Sequence, residues 1–261
     1  MMIVILVLVG VASGVTTALF GFGGGFVAVP VLVWAEVGLG DDAARVAVAT
    51  SSVLMVVGAL VATVSTPTHV LAGLRGSTCL LVLLGMGGAV GALAARGVPG
   101  GAISWGFLVY LLVTIVSVTM RKGFLEVVDG PVRPLRPAVG LPIGTIAAFL
   151  GVGGSVLTVP VMRRSGHRMA VATALANPLT LAVAVPAAVV FLLASGGRPE
   201  GAGGGVIGAV DVRAAGALLA GSVPVVVYLR RWGPRISDNV HARCYVALLV
   251  TVAIVMAANL I

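Results

Sequence analysis

Lysine, arginine, aspartate and glutamate divide this chain into eight long uncharged stretches: residues 1–35, 46–74, 76–95, 97–120, 137–162, 169–197, 214–229 and 244–261. A helix that spans a bilayer needs about 20 mainly apolar residues, and the backbone polar groups of such a segment must be satisfied within it. The spacing therefore predicts an all-α polytopic membrane protein. Only 9% of the residues are charged, against about 25% in a soluble domain, and the mean hydropathy is +1.19, which leaves no room for a soluble domain beside the membrane part. The first stretch lacks a basic leader and far exceeds the roughly 7–15 apolar residues of a cleavable signal, so it is expected to stay in the membrane.

Within this apolar background one pattern occurs twice. Residues 21–30 read GFGGGFVAVP and residues 151–160 read GVGGSVLTVP, an offset of 130. Glycine runs and proline interrupt a helix, because glycine gives up most backbone entropy and proline lacks the N–H of a helix interior. A second block repeats behind each copy: ARVAVATSS at 44–52 matches HRMAVATAL at 167–175, aligning Arg45 with Arg168 and Thr50 with Thr173. The chain thus reads as two halves, 1–120 and 138–261, joined by the charged, Pro-rich segment 121–137. Each half is expected to hold one broken segment followed by helices, with helices over about 43–64, 77–95 and 101–120 in the first and about 212–229 and 244–261 closing the second.

Basic residues choose between topologies. If each broken segment returns as a re-entrant hairpin or crosses as a pair of short spans, loops 65–76, 121–137, 163–168 and 230–243 share one side and carry twelve of the sixteen Lys and Arg residues. Single crossings would split them seven to nine, so the positive-inside rule favours the first arrangement and makes 121–137 a cytoplasmic linker. Each repeat then has three full crossings plus a hairpin, and the two are inverted. Inverted repeats place substrate sites at paired helix interruptions near the midplane.

Helix arms starting near Phe26 and Val156 would aim unpaired N–H groups and a positive dipole end at an anion. Gly23, Gly24 and Gly25 in one half, and Gly153, Gly154 and Ser155 in the other, would let backbone and one hydroxyl approach it; close helix packing is the other use of such glycines. Pro30 and Pro160 could instead mark the first turns of the arms, which would move the donors by a turn. Thr50, Ser51, Thr173 and Asn177 are polar positions inside apolar helices, suited either to cavity lining or to helix-to-helix hydrogen bonds. Arg45 and Arg168 stand near the starts of the matched helices, where they either snorkel to headgroups or act as gating cations at each mouth.

Other chemistry is not indicated. Cys79 and Cys244 are isolated and read as buried or lipid-facing fillers; His69, His167 and His241 are scattered and assigned to loops. No acid lies deep in an apolar stretch, so carboxylate-based proton coupling is not visible. Arg163 and Arg164 read as orientation signals, and Trp34, Trp105 and Trp232 as interfacial aromatics. The expected chain is not an enzyme, holds no metal or cofactor and binds no nucleic acid. Its partners are a small anion and the lipid bilayer, with homo-oligomerisation left open.

The doubled GFGGGFVAVP and GVGGSVLTVP motif, each followed by a helix containing AVAT, resembles the sulfite exporter TauE/SafE family of bacterial membrane permeases. That resemblance covers nearly the whole chain and implies transport of a small sulfur oxyanion or organosulfonate, such as sulfite, thiosulfate or sulfoacetate, across the cytoplasmic membrane. The substrate-contacting positions remain those named above. A passive anion channel is the alternative, since neither a charged coupling residue nor an ATP-binding motif is present. This copy departs from symmetry at Ser155, which faces Gly25, and at ALANP, where the first half has SSVLM.

Overall fold

A computed structural model describes residues 2–121, 123–125, 134–193, 205–233 and 236–260. Most of the 121–137 linker and of the 195–213 loop lies outside these described residues. The described chain is almost wholly helical, in the order α1 (Met2–Phe20), α2 (Gly25–Ala35), α3 (Ala43–Val64), the short α4 (Thr68–Leu71), α5 (Thr78–Arg96), α6 (Gly100–Met120), α7 (Gly140–Leu150), α8 (Ser155–Arg164), α9 (Met169–Leu192), α10 (Val212–Trp232) and α11 (Asp238–Ala258). A two-residue antiparallel ribbon, β1 (Val206–Ile207) with β2 (Val210–Asp211), leads into α10.

Seven helices (α1, α3, α5, α6, α9, α10 and α11) are long and apolar enough to cross a membrane. The other two apolar elements are shorter, over Gly25–Ala35 and Pro137–Leu150. Both breaks fall where the glycines are. At 1.5 Å per residue α2, α7 and α8 reach only about 15–17 Å, half the depth of a hydrocarbon core. Outward-facing Trp34, Trp105 and Trp232 are all exposed.

Two glycine seams bind the halves together. Along α1 and α10, a Cβ on Gly10 would overlap the Leu218 carbonyl, and one on Gly14 would come within 2.6 Å of the Ser222 carbonyl. Along α5 and α7, a Cβ on Gly87 would overlap the Leu141 carbonyl and one on Gly144 the Leu84 carbonyl. Gly10 and Gly14 correspond to Gly140 and Gly144 at the motif's offset of 130, so each half lends its broken segment's first helix to the other half. Small residues serve here as they do in other membrane bundles, by letting backbones meet.

Three sequence readings change. Helix α11 starts at Asp238, six residues before the expected 244, because its charged first turns have partners inside the protein. His241 accordingly lies on that helix, buried, with Nε2 2.7 Å from the Leu19 carbonyl. Arg163 is not a surface orientation signal but the largest fully buried side chain. Its Nη2 pairs with Asp238 Oδ2, its Nε donates to the Phe124 carbonyl at 2.9 Å, and Asp238 Oδ1 accepts from Met169 N at 2.8 Å. One ion pair thus ties the ends of α8, α9 and α11. Arg164 reaches across to α6, donating to the Ser117 carbonyl at 2.8 Å.

Candidate functional site

The two glycine turns meet. Gly21 and Gly23 have φ of 75° and 67°, and their counterparts Gly151 and Gly153 have 67° and 73°. These are left-handed conformations that side chains other than glycine's rarely tolerate, so the doubled motif encodes the same turn twice. Copies diverge at the next residue: Gly24 has φ 96°, whereas Gly154 is helical at −66°. A Cβ on Gly25 would lie 3.0 Å from the Gly151 carbonyl, and one on Gly153 would lie 3.3 Å from the Phe22 carbonyl. Backbone therefore faces backbone at the centre.

Helices α3 and α9 close the crossing from either side. From α3, Met55 lies 2.7 Å from a Cβ on Gly25 and 2.9 Å from one on Gly153, and Ser51 Oγ donates to the Gly151 carbonyl at 3.2 Å. On the α9 side, Thr180 Cγ2 lies 2.9 Å from a Cβ on Gly23 and 3.1 Å from one on Gly153. The Thr173 carbonyl sits against Gly21 and accepts from Asn177 Nδ2 at 3.2 Å. Residues 20–26 and 150–156 are all buried, so the turns are closed to solvent.

Arms α2 and α8 begin at Gly25 and Ser155, one residue before the expected Phe26 and Val156, and neither start carries a side-chain cap. The first N–H groups of a helix have no intrahelical partner and carry the positive end of its dipole. Pro30 and Pro160 stand at the sixth position of each arm, not in the first turn, so they leave those donors in place. A proline instead frees the carbonyl four residues earlier. For Pro160 that carbonyl belongs to Val156, and Tyr245 Oη donates to it at 2.9 Å.

Four enclosed side-chain oxygens near this crossing have no partner among the described residues: Ser155 Oγ, Thr158 Oγ1, Asn177 Oδ1 and Thr180 Oγ1. All four residues are at most 1% exposed. Leaving a buried polar group unpaired costs about 1–3 kcal/mol, so four together need a polar guest or ordered water. Three are hydroxyls that can donate to an anion. Asn177 Oδ1 accepts only, and suits a substrate proton or a water. Sequence reasoning missed Thr158, which lies inside the second repeated motif itself, and Thr180, a polar residue in an apolar helix about a turn and a half past the second matched block.

A family model, sulfite exporter TauE/SafE, matches residues 6–256. The chain belongs to the sulfite exporter TauE/SafE family. It is accordingly a multi-pass membrane protein of a membrane transporter family, with seven helices able to span. Among curated proteins and solved structures, nothing matches.

In this TauE/SafE chain the remaining expected residues are dispersed. Phe26 is fully buried in an aromatic cluster, with its ring centroid 4.7 Å from that of Phe22 and 6.2 Å from that of Phe107, so only its backbone can serve a ligand. Gly24 is tied by its carbonyl to Ser13 Oγ at 2.6 Å. Thr50 Oγ1 accepts from Asp211 N at 3.0 Å, an engagement with β2 that leads away from the turns. Arg45 pairs with Asp42 at 3.0 Å. Arg168 is exposed beside a 420 Å³ cavity that also touches Thr173. Glu36, just past the end of α2, is raised to about 7 by burial and then by a hydrogen bond and charge repulsion from Asp211. The sequence showed no titratable carboxyl of this kind, because its partner lies 175 positions away.

Proposed function

We propose that the chain is a permease for a small sulfur oxyanion or organosulfonate, such as sulfite, thiosulfate or sulfoacetate, held where the two glycine turns meet. The observation that carries this reading is the group of enclosed, unpartnered hydroxyls on α8 and α9 beside uncapped helix starts. Donors and positive dipole ends in a closed, low-dielectric crossing favour a compact anion over a neutral molecule of the same shape. Substrate contacts are assigned to the backbone of Gly23, Gly24, Gly25, Gly153 and Gly154 and to the hydroxyls of Ser155, Thr158 and Thr180.

Transport would proceed by alternating access between inverted repeats 1–120 and 138–261. Support comes from the matched left-handed turns and from the reciprocal seams, in which α1 packs on α10 and its counterpart α7 on α5. Because the turns are buried on all sides here, this conformation corresponds to a closed state between two openings. Rocking of the seams would open one mouth at a time.

Counterflow in proteoliposomes tests the reading. Vesicles preloaded with unlabelled sulfite or thiosulfate should transiently accumulate the labelled anion. A passive channel gives equilibration without overshoot. Uptake of a neutral sulfoxide as fast as of the anion would remove the basis for the dipole argument. Ser155→Ala, nearly isosteric, should weaken anion affinity by about 0.5–1.5 kcal/mol at unchanged melting temperature, and more if the acceptor's charge is fully felt.

A further inference from the structure

A 420 Å³ cavity lies between the ends of α1, α9, α10 and α11, lined among others by Leu19, Arg168, Thr173, Arg230 and His241. Its floor adjoins the first glycine turn. Leu19 is in the last turn of α1, and the Thr173 carbonyl sits against Gly21. Three cationic or imidazole side chains from three different helix ends meet here, and among the described residues no carboxylate lines the space. Asp238, on the same helix as His241, is already committed to Arg163 and Met169 N.

Arg230 is the decisive group. Its Nε and Nη2 are enclosed and have no hydrogen-bond partner among the described residues. With those two nitrogens withdrawn from water and no carboxylate paired to the group, the guanidinium bears a desolvation cost, and its planar fork is the side chain best matched to an oxyanion. Volume agrees with a hydrated guest: at roughly 30 Å³ per water, the cavity holds a small oxyanion together with several waters. The opposite mouth is built differently. Arg45, the repeat counterpart of Arg168, is neutralised by Asp42 at 3.0 Å. Among the described residues, the Arg168 face thus brings two arginines without an ion pair next to a turn.

We infer that this cavity is a second anion site, an antechamber in which Arg168 and Arg230 capture a sulfur oxyanion with its water before it passes to the glycine turns. The inference deepens the permease reading above and assigns it a preferred capture face, the one bearing loops 163–168 and 230–243.

The test uses full-length protein purified in detergent, with sulfite, thiosulfate and sulfate as probes and affinity read by calorimetry. Arg230→Gln and Arg168→Gln should each weaken binding about tenfold or more, as expected for one lost charge-assisted hydrogen bond, and should flatten the salt dependence. Arg45→Gln should bind like wild type. Arg230→Lys, which keeps the charge and loses the fork, should fall between, and guards against a Gln variant that folds poorly. In oriented proteoliposomes the Gln variants should raise KM from the Arg168 face and leave KM from the opposite face unchanged. Anion binding that is identical in wild type and both Arg variants would overturn the antechamber while leaving the permease reading intact. Equally, a wild type that binds none of the three probes overturns it. Arginine-dependent binding without any transport would keep the antechamber and defeat the permease reading instead.

Discussion

Adjacent residues of the second turn make opposite demands on a methyl group, and this gives the sharpest test of the turn's geometry. Gly153 has φ +73°, and a Cβ there would meet Met55 Sδ at 2.9 Å, Thr180 Cγ2 at 3.1 Å and the Phe22 carbonyl at 3.3 Å. Holding alanine in a left-handed conformation costs about 1–2 kcal/mol, and forcing a methyl into packed surroundings adds about 1–3 kcal/mol. Gly153→Ala should thus destabilise by about 2–5 kcal/mol. Gly154 has φ −66° and ψ −22°, and its Cβ would find nothing closer than Val183 Cγ2 at 3.4 Å. Gly154→Ala should be neutral or stabilise by about 0.4–1 kcal/mol, because the unfolded chain loses freedom while the native turn is unstrained. Thermal unfolding of the two proteins in the same detergent reads the order directly. Equal melting temperatures, or a Gly154→Ala protein less stable than Gly153→Ala, would refute this placement of the turn. The same pair separates folding from function. A stable Gly154→Ala protein with impaired transport would mean that the bare backbone at 154 meets the substrate.

Breaking the buried Arg163–Asp238 pair should cost about 3–5 kcal/mol in Arg163→Met or Asp238→Asn, since either leaves an unbalanced buried charge; the double variant, measured by the same melts, should recover part of it, and additive losses would argue against direct coupling. Glu36 supplies a pH dependence: its carboxyl is raised from 4.5 to about 7 in the folded protein, so its stabilising contribution is complete below about 4.5 and disappears as pH rises through about 7. Melts from pH 5 to 8 should fall more steeply for wild type than for Glu36→Gln, and parallel curves would contradict the half-buried Glu36–Asp211 pair. For topology, cysteines placed at exposed Gly38 and Arg168 in a Cys79→Ser, Cys244→Ser background should label from opposite faces of intact cells, with Arg168 cytoplasmic. Labelling from one face would end the inverted-repeat assignment.

What the sequence revealed and what it hid follow a physical division. Breaks at 21–24 and 151–154 were legible because glycine runs act locally, on the backbone that carries them, and the same holds for the extent of α3 from Ala43 to Val64. Contacts between distant residues were not. Arg163 looks like any loop cation until Asp238, 75 positions on, is folded against it, and that pairing also explains why α11 begins among charged residues. Ser237 before Asp238 is a helix-start signal in the sequence, although the charges at 238 and 243 interrupt the apolar run there. Thr50 and Thr173 occupy matched positions in the repeat, yet their hydroxyls are engaged differently: Thr50 Oγ1 accepts from Asp211 N, whereas Thr173 Oγ1 donates to the Ala170 carbonyl, and Thr173 meets the glycine turn only through its own carbonyl, against Gly21.

That inequality extends through the whole crossing. The first turn is bordered by aromatic rings: Phe20, Phe22 and Phe26 pack in series, with Tyr245 5.2 Å from Phe22 by ring centroids. At the same offset the second half has Leu150, Val152 and Val156, and its free hydroxyls lie on α8 and α9. One wall excludes water and the other offers donors. A hydroxyl bonded to an anion gains strength as the surrounding dielectric falls, so the apolar wall contributes to affinity without touching charge. On the permease reading proposed above, the two copies of one motif would serve complementary roles that a symmetric pair of polar turns could not supply: an apolar wall that keeps the crossing dry, and a polar wall on α8 and α9 that would hold the anion until the seams rock open.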